Sequence, residues 1–156
     1  MAWLGFALLS VCTWGVYGLL LHTGTMGMAD PANGRYKAFL FVGLAYLLVA
    51  VIGPLVVLKV RGVAWGSLPA KGVGWSTIAG LAGAIGAFGI LLAFSAKGTP
   101  AVVMSIVFAG APVVNAIVAM ILHPPSGGLR ALDWRFVVGI AMAAVGGCLV
   151  TLFRPA

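Results

Sequence analysis

Charge is what this 156-residue chain has least of, and acid above all. Charged residues make up 7% of it, against about a quarter in an ordinary soluble domain. No polar face is left to solvate a globule of this size. The acidic complement is Asp30 and Asp133 alone, both in polar stretches between apolar runs. No carboxylate is therefore expected at membrane depth, where proton relays and sodium sites usually keep one. Paired carboxylates, a serine-histidine-acid set and metal-spaced ligands are all missing, so the chain is not read as an enzyme and implies no cofactor and no metal. The two histidines, His22 and His123, close apolar runs and read as solvated helix-end residues. Cys12 and Cys148 lie inside apolar runs and read as small packing residues, with no disulfide framework.

What is present is apolar: 63% of the residues. A bilayer crossing needs about 20 mainly apolar residues, and five such runs use nearly the whole sequence. They fall at about 3–21, 38–58, 74–95, 100–122 and 134–153. The expectation is an all-α integral membrane protein, one domain of five transmembrane helices. The first run has no basic segment before it and no small-residue cleavage pattern after it, so it reads as a retained helix. Thr23 to Lys37 is polar and turn-rich, with Asp30-Pro31-Ala32-Asn33-Gly34 as the turn. Pro54 falls near the end of the second run, where at most a modest kink is expected. Thr99 and Asp133 are placed as N-caps of the fourth and fifth helices, with Pro100 at a first helical position.

The net charge of +7 comes from nine basic residues that form no run. They report topology and headgroup contact, and nucleic acid is not an expected partner. Trp3, Trp75 and Trp134 open three of the runs, and Trp65 lies in the second connector, so alternate threading puts all four on one side as an interfacial belt. Lys59, Arg61, Lys71, Arg130 and Arg135 fall on the side of the N-terminus, and Arg35, Lys37, Lys97 and Arg154 on the other. Five against four is almost no bias. One expectation is that the N-terminal side is cytoplasmic by a weak margin, and the other is insertion both ways up with pairing as an inverted dimer.

Small residues mark expected helix contacts, since close backbone approach does much of the packing in lipid. Ala79, Gly83 and Ala87 recur at four-residue spacing in the third run, beside Gly80 and Ala84. Gly139, Ala143 and Gly147 do the same in the fifth. The series Gly83, Gly86, Gly89 has the wrong spacing and setting for a dinucleotide fingerprint.

Two stripes are candidates for a solute path. Trp3, Phe6, Ser10, Trp14, Tyr17 and Leu21 share one face of the first helix, with Thr13 beside them. Trp14 and Tyr17, one turn apart at mid-membrane, offer an aromatic wall with two hydrogen-bonding tips. Packing against neighbouring helices is the alternative. On the fourth helix Ser105, Pro112 and Asn115 share a face. Pro112 deprives the carbonyl of Phe108 of its usual partner, and Asn115 lies near enough to join that polar patch or to bond a neighbouring helix.

These segments resemble the drug/metabolite transporter superfamily, in particular one five-helix EamA-type half. Trp14-Gly15-Val16-Tyr17-Gly18 is similar to the tryptophan-glycine-aromatic pattern of that family's first helix. Ser105 followed by Ala111-Pro112-Val113-Val114 is similar to its fourth, and Trp134 with Gly139, Gly146 and Gly147 to its closing helix. The likeness in layout spans nearly the whole chain, through short and degenerate motifs. It implies a transporter subunit for a small organic solute or metabolite, working by alternating access in an inner or plasma membrane. It also implies a homodimer, parallel or inverted, with lipid around it. Where such halves often carry a glutamate after the fourth helix, this chain has His123-Pro124-Pro125. The first span also lacks the glutamate that the four-helix small multidrug relatives keep there. The different expectation from the small-residue richness is a scaffold or accessory subunit of a larger membrane complex.

Overall fold

The computed structural model describes residues 2–63, 66, 68–128 and 132–153. Trp65 of the expected belt, and Arg130 and Arg154 of the charge comparison, lie outside the described residues. The regular elements are helices α1 (Ala2–Gly27), α2 (Gly34–Tyr46), α3 (Gly53–Val60), α4 (Ala70–Ser95), α5 (Pro100–Leu122) and α6 (Trp134–Leu152). A π-helical turn, Leu47–Ile52, joins α2 to α3 in one continuous span. Five spans of 26, 27, 26, 23 and 19 residues are thus long and apolar enough to cross a membrane. At about 1.5 Å per residue even the shortest matches a hydrocarbon core of about 30 Å.

Three boundaries differ from the sequence expectation: α1 ends later, and the second and third spans begin four residues earlier, at Gly34 and Ala70. α1 runs on past His22, expected at its end, through Thr23 and Thr25, expected in the connector, to Gly27. The threonines fit because their hydroxyls donate back into the helix, Thr23 to the carbonyl of Leu19 and Thr25 to that of Leu21, each at 2.9 Å. A polar residue bonded this way needs no loop around it. α4 begins at Ala70, after an extended Pro69.

Pro54 does more than kink the second span. It has no N–H to donate, and its ring excludes the carbonyl one turn earlier, at Ala50. The chain answers with a wider turn just before it, closed by a bond from the Gly53 N–H to the carbonyl of Leu48, five residues back. Such π turns insert one residue of extra rotation into a helix.

Of the two expected caps, Asp133 caps α6 through its side chain, accepting from the Arg135 N–H at 2.8 Å. Thr99 takes the N-cap position of α5 with extended backbone, but its hydroxyl makes no capping bond there. Its carbonyl accepts from the Val103 N–H at 3.0 Å.

The chain forms two compact units, Met1–Lys97 and Gly98–Ala156. In the first, α1, α2 and α4 meet at one end. The buried residues Leu21, Ala38 and Leu91 form its core, with Tyr17, Met28, Phe39, Val42 and Phe94 packed around them. Gly34 starts α2 so close to α1 that a Cβ there would sit 3.1 Å from the Thr25 carbonyl oxygen and 3.2 Å from the Met28 Cβ. Away from this end, residues 2–16 of α1 and 70–86 of α4 bury nothing, and α3 packs on no other helix. In the second unit α5 and α6 form a helical hairpin.

The small-residue faces meet their neighbours only in part. In α4, Ala87 is buried with Ile90 and Leu91, whereas Ala79 is exposed and a Cβ at Gly80 or Gly83 would meet nothing. In α6, Gly147 is buried against α5, while Gly139 and Ala143 are exposed. The side that α6 turns inward is Ile140, Ala144, Gly147 and Thr151, one residue round from the expected stripe. Cys12 and Cys148, expected as small packing residues, are exposed free thiols.

Candidate functional site

Tyr17 sits where α1 turns from open to packed. Trp14, one turn earlier, is still exposed, and the two rings stand 5.4 Å apart and tilted by 51°. Tyr17 is half-buried, and its phenol oxygen is fully covered with no hydrogen-bond partner among the described residues. In an apolar setting an unpaired hydroxyl costs about 1–3 kcal/mol, so its retention calls for a reason beyond packing.

That phenol belongs to the wall of a groove of about 700 Å³ between α1 and the second span. Thr13, Tyr17 and Leu21 line one side, and Phe41, Val42 and Tyr46 the other. Its volume is within the range of about 300–1,000 Å³ typical of small-molecule sites, which combine apolar walls with a few polar groups. The polar groups are few indeed. Thr13 donates its hydroxyl proton to the carbonyls of Leu9 and Ser10, at 2.9 and 3.1 Å, which leaves the phenols of Tyr17 and Tyr46 as donors. The π turn shapes the far end, since Val49 within it also lines the groove.

The rest of the α1 stripe is not brought to this groove. Trp3 and Phe6 are 71% and 69% exposed, and Ser10 donates to the Phe6 carbonyl at 3.1 Å. Trp14 abuts Tyr17 without lining the groove.

The α5 candidates belong to the other unit. Ser105 donates to the Ala101 carbonyl at 2.7 Å, and its own carbonyl lies at the crossing with Gly147. Pro112 is accommodated inside an unbroken α5. Pro112 and Asn115 are both exposed, and the Asn115 amide makes no hydrogen bond among the described residues. The structure thus pairs Trp14 with Tyr17, and sets Ser105 apart from Pro112 and Asn115 by its half-burial at the α6 crossing.

A second, more polar cleft of about 470 Å³ opens at the packed end of the first unit, lined by α1, the 28–33 turn, Arg35 and the end of α4. His22 is more than the solvated helix-end residue expected of it. It lies within α1, edge-on to Phe94 with ring centroids 5.6 Å apart. Neither the groove's α2 wall nor this cleft has a motif in the sequence. The adjacency of Arg35 and Tyr36, now seen as a guanidinium over a ring at 4.9 Å, was the one available signal.

Five helices long and apolar enough to cross a membrane mark a multi-pass membrane protein. No protein-family model, no curated protein and no solved structure matches the chain.

Proposed function

We infer that the chain is a subunit of a membrane transporter for a small organic solute, acting by alternating access as a homodimer in an inner or plasma membrane. The observation that carries this reading is the groove beside α1: apolar walls, solute-sized volume and a covered phenol with nothing to bond. A solute hydroxyl or carbonyl would satisfy Tyr17 once its covered hydroxyl turns into the groove, with the indole of Trp14 as the adjoining aromatic surface. The resemblance to one EamA-type half supports the same reading and implies a second copy to complete the path. With no carboxylate in any span, a neutral or aromatic solute fits best.

The test is uptake of a panel of neutral and aromatic solutes into proteoliposomes. Trp14→Ala is expected to slow uptake while inserting normally. Uptake at the wild-type rate would remove Trp14 from the path. Absence of uptake or thermal stabilisation by any of the panel would favour the second reading, a scaffold or accessory subunit. That reading draws on the open faces of α1 and α4, where Ala79 and Gly83 leave room for another helix.

A further inference from the structure

The cleft at the packed end of the first unit holds an arginine that no acidic group pairs with among the described residues. Arg35 lines it, its Nε is fully covered, and that nitrogen has no hydrogen-bond partner among the described residues. Asp30 lines the same cleft but is already engaged. Its Oδ2 accepts from the Lys37 ammonium at 2.7 Å, and its Oδ1 from the N–H groups of Ala32 and Asn33 at 3.1 and 2.9 Å. Arg35, Lys37 and Asp30 together leave one positive charge over, on the guanidinium. Tyr36 supports it only through its ring face.

The remaining walls fit an acceptor-rich visitor more than a water-filled gap. Phe94 and Leu91 close one side. His22, held edge-on to Phe94, brings an imidazole to the cleft and is a second donor. Thr25 and Ser95 donate their protons to the carbonyls of Leu21 and Leu91, so the free donors of the cleft are the guanidinium and the imidazole. Three helix ends, the close of α1, the start of α2 and the close of α4, gather here. The cleft therefore lies where spans end and headgroups begin. Half-covered cations between helices at that depth are suited to phosphate groups, which accept two parallel bonds from a guanidinium.

We propose that this cleft binds a phosphate group, with Arg35 as its principal ligand and His22 as a second donor. The phosphate can belong to a phospholipid headgroup or be free in solution, since both offer the guanidinium the same oxygens. The assignment does not depend on transport.

The test uses the full chain, delipidated in a neutral maltoside detergent, with thermal unfolding read against added phosphatidylglycerol, inorganic phosphate or diacylglycerol. Phosphatidylglycerol is expected to raise the melting temperature, and diacylglycerol, which has the tails without the phosphate, is not. Arg35→Gln should weaken the apparent affinity about tenfold or more, the scale of a lost charge-assisted bond. Lys97→Gln removes a cation from the same end of the unit without touching the cleft wall, and should leave the response intact. If Arg35→Gln does not fold, Arg35→Lys, which keeps charge but loses the paired geometry, serves in its place. A response to phosphatidylglycerol alone assigns the site to lipid, and one that inorganic phosphate also produces assigns it to a soluble phosphate. No phosphate-dependent shift, or the same shift in the Arg35 variant, overturns the proposal.

Discussion

Gly147 of α6 passes Ala109 of α5 so closely that a Cβ on the glycine would overlap the alanine's own Cβ. The added atom would also come within 3.3 Å of the Ser105 carbonyl oxygen. No flexible side chain is there to move aside, so the two helices would have to part.

Gly147→Ala should therefore destabilise the α5–α6 hairpin, by about 1–3 kcal/mol as for overpacked cores generally. Its neighbour supplies the control. A Cβ at Gly146 meets nothing, and Gly146→Ala should be neutral or stabilising by up to about 1 kcal/mol through helix propensity. Unfolding in detergent, titrated with a denaturing detergent, compares the two. Equal effects would mean that the crossing is looser than described.

Tyr17→Phe separates folding from binding. Removing a covered hydroxyl that has no partner should leave stability unchanged or raise it by about 1 kcal/mol. The thermal response to a bound solute should fall in the same variant. A loss of stability would show that the phenol bonds within the protein and has no bearing on a solute.

The turn between α1 and α2 should respond to acid in a defined sense. The hydrogen bond from Lys37, then that from the Asn33 N–H, hold the Asp30 carboxyl below its ordinary value of 3.8. A carboxyl lowered on folding stabilises the native turn above that ordinary value, and the contribution disappears as pH falls through the lowered one. Amide protection at residues 32–34, taken against the intrinsic exchange rate at each pH, should thus hold down to about pH 4 and fall below it. Asp30→Asn should keep the bonds to Ala32 and Asn33 but lose the ion pair and the acid response, while Asp30→Ala loses both. Protection in Asp30→Asn that still falls below about pH 4 would place the response on another group.

Pro54→Ala restores a donor and clears the Ala50 carbonyl, so the π turn loses its cause. The second span should become a regular α-helix, more stable by about 1–3 kcal/mol. Single cysteines at positions 55 to 58 should show their lipid-accessible pattern displaced by one residue. An unchanged pattern would trace the wide turn to something other than the proline.

Five spans were legible because hydropathy needs only a long apolar run, and α5 was found residue for residue. The overrun of α1 was not, since a threonine that bonds its own helix has the same composition as one in a loop. The π turn was missed because a proline near a helix end ordinarily costs little, whereas Pro54 has six more helical residues after it. Trp14 beside Tyr17 followed from helical spacing alone. The opposite wall did not, because Phe41, Val42 and Tyr46 come from another span and apolar side chains carry no signature of their partner. The shift of the α6 contact from Gly139 and Ala143 to Ile140 and Ala144 has a similar origin. Small-residue spacing names a face to within about one residue's rotation, roughly 100°.

The three spans of the first unit touch at one end only, and that gives them leverage. The free stretch of α1, residues 2–16, is an arm of about 22 Å at the rise of an α-helix. A tilt of about 10° at the packed end swings its tip through about 4 Å, close to the width of an aromatic ring. The pivot is the cluster of Leu21, Ala38 and Leu91. Displacements too small to break that cluster are therefore magnified on the opposite side of the membrane.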